Sequence, residues 1–128
     1  KVGFFPGVWD LVHPGHVRAL KEAASKCDYL IVGLQADPTV DRKNKSKPVL
    51  TLKERYEVLE ALKFVDWIWV YRREQELKDF DENQRIDVRF MGADHKGDKK
   101  YPTKAKIVYI SRNHKYSSTE LKNRIKNG

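Results

Sequence analysis

The run from Gly7 to His16, Gly-Val-Trp-Asp-Leu-Val-His-Pro-Gly-His, places two imidazoles on either side of a Pro-Gly pair. Phe4 and Phe5 lie ahead of it, as in a buried strand, and from Val17 an apolar pattern of helical period continues through Leu20, Ala23 and Ala24. The histidines therefore fall where a strand gives way to a helix. Backbone N–H groups at a helix N-terminus lack intrahelical partners, and the helix dipole favours negative charge there. Such a turn suits a phosphate, with His13 and His16 donating to it and Gly15 letting it approach the backbone. Zinc is the competing chemistry for two close histidines. A structural zinc site takes four nitrogen or sulfur ligands, and His95, His114 and Cys27 form no recognised spacing, so no protein-held metal is expected. A loop of Pro, Gly and His can also be a plain turn, and the rest of the chain must decide.

Lys and Arg number 26 against 18 Asp and Glu, a net charge of +8 that predicts an anionic partner: nucleotide, sugar phosphate, nucleic acid or acidic membrane. With 128 residues, 40% of them hydrophobic, the chain can build one core and not two, so a single domain over 1–128 is expected. The lone Cys27 excludes an internal disulfide, and no apolar run reaches membrane-spanning length or looks like a secretory leader. A cytoplasmic protein without membrane insertion is expected. Cys27, at a helix-to-strand passage, reads as a small core or boundary residue. Lys1 is not an initiator methionine, which fits a processed chain, an excised domain or a few missing residues.

Apolar and helical segments alternate along the chain. Tyr29 to Leu34 is nearly unbroken apolar sequence, the pattern of a parallel strand covered on both faces. Residues 35–50 are polar and basic and predict a mobile loop, after which Thr51 and Glu54 form a capping box ahead of Tyr56, Val58, Leu59 and Leu62. Val65 to Tyr71 is aromatic and β-branched and predicts a third strand, followed by a polar helix over about Gln75 to Gln84. Val88–Met91 and Ile107–Ile110 complete five strands, and a last helix begins at Ser117 with Glu120 as its capping partner. This order predicts an α/β fold: a Rossmann-like, doubly wound, five-stranded parallel sheet with helices on both faces. Ligands bind such sheets beyond the carboxyl ends of the strands, where the loops carrying His13, Lys45, Gly92 and Arg112 would meet.

In this setting the chain resembles the cytidylyltransferase-like nucleotidyltransferases, most closely the small glycerol-3-phosphate cytidylyltransferase type. The resemblance rests on Gly7-x-Trp9-Asp10-x-x-His13-x-Gly15-His16, Asp28 to Gly33, the Lys45 and Lys47 loop, Glu54-Arg55, Val65-Asp66, Met91-Gly92-x-Asp94, Arg112 and Ser117-Ser118-Thr119. Trp9 stands where the family usually has Phe, Trp67 where it often has Glu, and Arg112-Asn113-His114-Lys115 where cytidylyltransferases have Arg-Thr-Glu-Gly. The stretch from Lys47-Pro48-Val49 to Val65-Asp66-Trp67 is as similar to adenylyltransferases acting on heptose phosphates.

The resemblance implies transfer of CMP from CTP to an alcohol phosphate such as glycerol 3-phosphate, or of AMP from ATP to a heptose phosphate. His13, His16, Lys45 and Arg112 would be catalytic; Gly7, Val8, Trp9, Asp10, Gly15, Asp94, Ser117, Ser118 and Thr119 would bind nucleotide; Lys47, Arg55 and Asp66 would face the acceptor. Mg²⁺ would arrive with the triphosphate, and a homodimer is implied. From composition alone Arg55 reads as exposed or ion-paired, Asp10 as a turn residue, and Trp67, Trp69 and Tyr71 as core or subunit packing. The rival from another class is a nucleic-acid-binding module, suggested by charge, aromatics and the Lys-rich tail from Lys122 to Lys126, but no recognised binding motif accompanies them.

Overall fold

Among the described residues five strands form one parallel sheet, in which the first strand lies at the centre, the second and third lie to one side of it and the fourth and fifth to the other. They are β1 (Val2–Gly7), β2 (Tyr29–Gln35), β3 (Trp67–Tyr71), β4 (Val88–Gly92) and β5 (Lys106–Ile110), and the helices are α1 (Pro14–Ala24), α2 (Leu52–Glu60), α3 (Gln75–Asn83) and α4 (Ser118–Asn127). The computed structural model describes residues 1–92, 103–111 and 117–128, without the side chain of Ser118; Asp94 and Arg112 lie outside the described residues.

The chain steps from β1 outward to β2 and β3, then crosses back to place β4 on the other side of β1. The reversal of direction opens a crevice between the carboxyl ends of β1 and β4, and both ends are glycines, Gly7 and Gly92. Strand alternation divides the core between the two faces of the sheet. Phe5, Val32 and Phe90 point to the face covered by Leu20 and Ala23 of α1 and Leu59 of α2. Phe4 and Ile31 point to the opposite face, against Leu77 and Phe80 of α3. β2 is buried along both faces after Tyr29, which explains its unbroken apolar sequence.

The amino ends of the strands are tied together by aspartates. Asp66 Oδ2 accepts from Leu30 N–H at 2.8 Å, and Asp87 Oδ2 accepts from Val2 N–H at 2.8 Å. The bond from Val2 holds the Asp87 carboxyl below its ordinary pKa, with Arg85 adding to it. A depressed carboxylate contributes stability that is present above its unfolded pKa and lost as pH falls through the folded value. Asp87→Asn is therefore expected to lower Tm at pH 7, and the gap from the parent chain should close as pH falls from about 4 downward. A gap that stays constant to pH 2 would overturn this reading of Asp87.

Candidate active site

The loop after β1 is shaped by three features of its own sequence. Trp9 and Leu11 adopt left-handed backbone, with φ of 56° and 49°, a conformation that costs a non-glycine residue about 1 kcal/mol or more. The turn drives the Trp9 indole back beneath the sheet, where Nε1–H donates to Gly33 O at 3.0 Å and the ring meets Phe5 edge-on. Gly7 leaves room for that ring, since a Cβ there would lie 3.0 Å from Trp9 Nε1. Gly33 is equally constrained: a Cβ would lie 2.9 Å from the Phe4 ring and 3.1 Å from Pro6 Cα. Gly33→Ala is expected to cost about 1–3 kcal/mol as an overpacked site, read as a fall in the urea midpoint; an unchanged midpoint would show that the Phe4 ring can give way.

The two histidines then cap α1 against each other. His13 is the N-cap and its Nδ1 accepts from Gly15 N–H at 3.0 Å, while His16, in the third helical position, accepts from His13 N–H at 3.1 Å through its own Nδ1. This is a capping box with imidazoles in place of the usual hydroxyl and carboxylate. A neutral imidazole whose Nδ1 accepts must carry its proton on Nε2. The rings lie 4.1 Å apart between centroids and both line the cavity at the switch point. One pair of side chains thus orders the helix start and presents two N–H donors of fixed tautomer.

That cavity, about 440 Å³, gathers residues from the segments that follow β1, β2, β3 and β5 and from the carboxyl end of β4. Of the residues singled out from sequence, Gly7, Val8, Trp9, His13, Gly15, His16, Lys45, Ser117 and Thr119 line it. A second helix N-terminus faces it: Ser117 caps α4, its Oγ accepting from Glu120 N–H at 3.0 Å. Among the described lining side chains, Arg42, Lys45 and Arg89 are cationic and only Glu74 is acidic. Arg42 is ion-paired with Glu74 and Arg89 with Asp81, so Lys45 and the two helix N-termini are what favour an anion here. Among the described residues no three His, Cys, Asp or Glu side chains gather to hold a metal ion.

Four expected site residues do not line the cavity, and three of them have other work in the structure. Asp10, expected at the nucleotide, accepts from Val49 N–H at 2.7 Å and Leu50 N–H at 2.9 Å, and so pins the far end of the basic loop. Arg55 is neither exposed nor ion-paired at close range: it is 1% exposed, and its guanidinium donates to Leu50 O, Val8 O, Gln35 O and Ala36 O at 2.6–3.2 Å. It is not among the residues that line the cavity. Burial pulls the Arg55 pKa down while Asp10 and Asp37 push it back up. Asp66 neither pairs with Arg55 nor lines the cavity: it sits at the amino edge of the sheet, one strand length of about 15 Å away. Lys47 does not line the cavity, although its loop neighbour Lys45 does.

Gln35, Arg42, Glu74 and Arg89 line the cavity without having been singled out from sequence, and so does Tyr71, which composition reads as core or subunit packing. Gln35 ends an apolar strand and is 4% exposed, a polar residue buried at a carboxyl edge and the one readable signal among them. Arg89 lies along the Phe4 ring and is held by Asp81 of α3, Nη1 to Oδ2 at 2.6 Å, both side chains buried. Burial pushes the Asp81 carboxyl up against the opposing pull of Arg89.

The model of the cytidylyltransferase-like family matches residues 4–124. The chain belongs to that family. Among curated relatives, the bifunctional protein HldE of Bradyrhizobium sp. (strain ORS 278) is 42% identical over 96 residues, 74% of this chain and 19% of its own length. The bifunctional protein HldE of Acidiphilium cryptum is 40% identical over 99 residues, 77% of this chain and 20% of its own. The chain thus spans about a fifth of the length of the curated relatives it matches. Among solved structures, a lipopolysaccharide core biosynthesis protein from Thermoplasma volcanium superposes with a TM-score of 0.70 at 26% identity, covering 91% of this chain and 98% of that one. The Rossmann-like sheet and the nucleotidyltransferase family are therefore as the sequence predicts. No helix among the described residues is long and apolar enough to cross a membrane.

Proposed function

We propose that this family member transfers AMP from ATP to the phosphate of a heptose phosphate and releases pyrophosphate. The observation that carries a triphosphate reading is the His13–His16 capping box at the mouth of a cationic cavity, facing the α4 N-terminus. Similarity to HldE proteins and to a lipopolysaccharide core biosynthesis protein supports ATP and a heptose phosphate better than CTP and glycerol 3-phosphate, toward which the resemblance of motifs leaned.

In this reading a phosphate oxygen of the acceptor attacks the α-phosphorus, the bond from that phosphorus to the β-phosphate bridging oxygen breaks, and pyrophosphate leaves in line. The nucleophile is already ionised, so no general base is required, and the site acts by bringing two polyanions together and meeting the charge of the transition state. His13 and His16 donate from Nε2 to oxygens at the α-phosphate, and backbone donors at the start of α4, with Thr119, hold the outer phosphates. Lys45 adds charge from the loop that Asp10 pins. Mg²⁺ accompanying the triphosphate would offset its charge, and among the described residues no cluster of His, Cys, Asp or Glu forms a dedicated cage for it. The exposed edge of β3, with Trp67 40% exposed, supports a homodimer, testable by sedimentation.

Pyrophosphate release with Mg²⁺ should be measured for ATP, CTP, GTP and UTP against heptose 1-phosphate, glycerol 3-phosphate, ribitol 5-phosphate and phosphocholine. Release confined to ATP with heptose 1-phosphate is expected. Release confined to CTP with glycerol 3-phosphate would replace this reading with the other.

A further inference from the structure

The cavity extends beyond the two histidines to a second side. Around the histidines it is bounded by α1 and α4, but on the α3 face of the sheet it is walled by Gln35, Tyr71, Glu74 and Leu77. Glu74 is out of place electrostatically. It is the sole acidic side chain among the described lining residues of a site built for two polyanions, where a carboxylate repels both.

Its charge is compensated and its position fixed. Glu74 Oε1 takes Arg42 Nε at 2.8 Å, its own backbone N–H donates to Asp41 Oδ2 at 2.8 Å, and Gln35 Nε2 donates to the same Asp41 oxygen at 3.4 Å. With Arg42 already paired to it, the carboxylate does not require a cationic ligand. A carboxylate that is oriented, neutralised as a pair and turned to a cavity is an acceptor of hydroxyl hydrogen bonds. The aromatic lining does not suit the alternative of a quaternary ammonium: Trp9 is committed beneath the sheet, which leaves Tyr71 on the α3 side without a second aromatic wall among the described lining residues.

We propose that Glu74, set by Arg42 and Asp41 and flanked by Gln35, is the specificity-determining residue that reads the hydroxyl groups of a polyhydroxylated acceptor phosphate. This rests on the nucleotidyltransferase reading of the cavity but not on which nucleotide is used. It follows that acceptors bearing the same phosphate should gain in kcat/KM with their hydroxyl number, from glycerol 3-phosphate through ribitol 5-phosphate to heptose 1-phosphate.

The test compares the parent chain with Glu74→Ala and Glu74→Gln across those three acceptors, using the triphosphate that supports release. Loss of hydrogen bonds to a charged group is worth about 10- to 100-fold. Glu74→Ala is expected to raise KM for the most hydroxylated acceptor by that factor, leave KM for the triphosphate within about twofold, and flatten the acceptor series. Glu74→Gln, which keeps one acceptor oxygen, should recover part of the loss. A residue that merely latches two loops would instead lower Tm and shift all acceptors and the triphosphate alike, which would overturn the proposal. If no pair of substrates is turned over, the nucleotidyltransferase reading fails separately, and calorimetry then decides the role of Glu74. Tighter binding of heptose 1-phosphate than of inorganic phosphate, abolished by Glu74→Ala, supports it; equal affinities in the parent chain, or a preference that survives the substitution, overturn it.

Discussion

Turnover of His16→Ala is expected to fall by at least about 10²-fold, as for removal of one donor to the oxygens of a transition state. The same change removes the acceptor that satisfies His13 N–H, so a stability loss of about 1 kcal/mol should accompany it. The two effects reside on different atoms of one ring and can be separated. His16→Asn keeps a short acceptor near the position of Nδ1 and should restore Tm, but its amide does not reach the place of Nε2 and turnover should stay low. His16→Gln reaches further and should recover part of the turnover at the lower Tm. An Asn variant as active as the parent chain would reduce His16 to a helix cap.

Arg55→Leu should destabilise the protein by about 3–5 kcal/mol, the cost typical of breaking a buried charged network, and lower Tm on the order of 10–20 °C. The guanidinium holds carbonyls from three segments: Val8 in the loop before the histidines, Gln35 and Ala36 at the end of β2, and Leu50 ahead of α2. Leaving these carbonyls without a donor beneath a leucine is the source of the cost. Arg55→Lys should not rescue, because a single ammonium cannot reproduce a planar fork over several carbonyls. A Tm within about 3 °C of the parent chain, for a change of this expected size, would show that water or a neighbour replaces the guanidinium readily. Since Arg55 does not line the cavity, any variant that folds should lose activity through a displaced loop, seen as changes in KM for both substrates.

Much of the architecture was legible because it follows from local periodicity and capping. The unbroken run at Leu30–Leu34 can be tolerated only inside a sheet covered on both faces, and Thr51 with Glu54 makes the capping box that it spells. Helix α1 begins earlier than its apolar pattern, at Pro14, because histidines are not read as caps from propensity alone. Asp10 and Asp66 misled for one reason. A carboxylate near a motif is read as a ligand group, whereas what it accepts depends on which backbone N–H the fold brings beside it, Val49 and Leu50 for one and Leu30 for the other.

By itself the sequence determined the class of the sheet, the strand-to-helix position of His13 and His16, and a surplus of positive charge. These depend on neighbours in the chain, on the 2.0 and 3.6 residue periods, and on composition. Tertiary structure alone decided which charges face the cavity. Arg42, Glu74 and Arg89 come from loops and strands up to 47 residues apart; the pairing of β2 with β3 brings Arg42 to Glu74, and the crossing of β4 to the side of β1 brings Arg89 to the same cavity. The same packing buried Arg55 and sent Asp66 to the far edge. Spacing along a chain carries no information about such meetings, because they are set by strand order and by the two faces of the sheet.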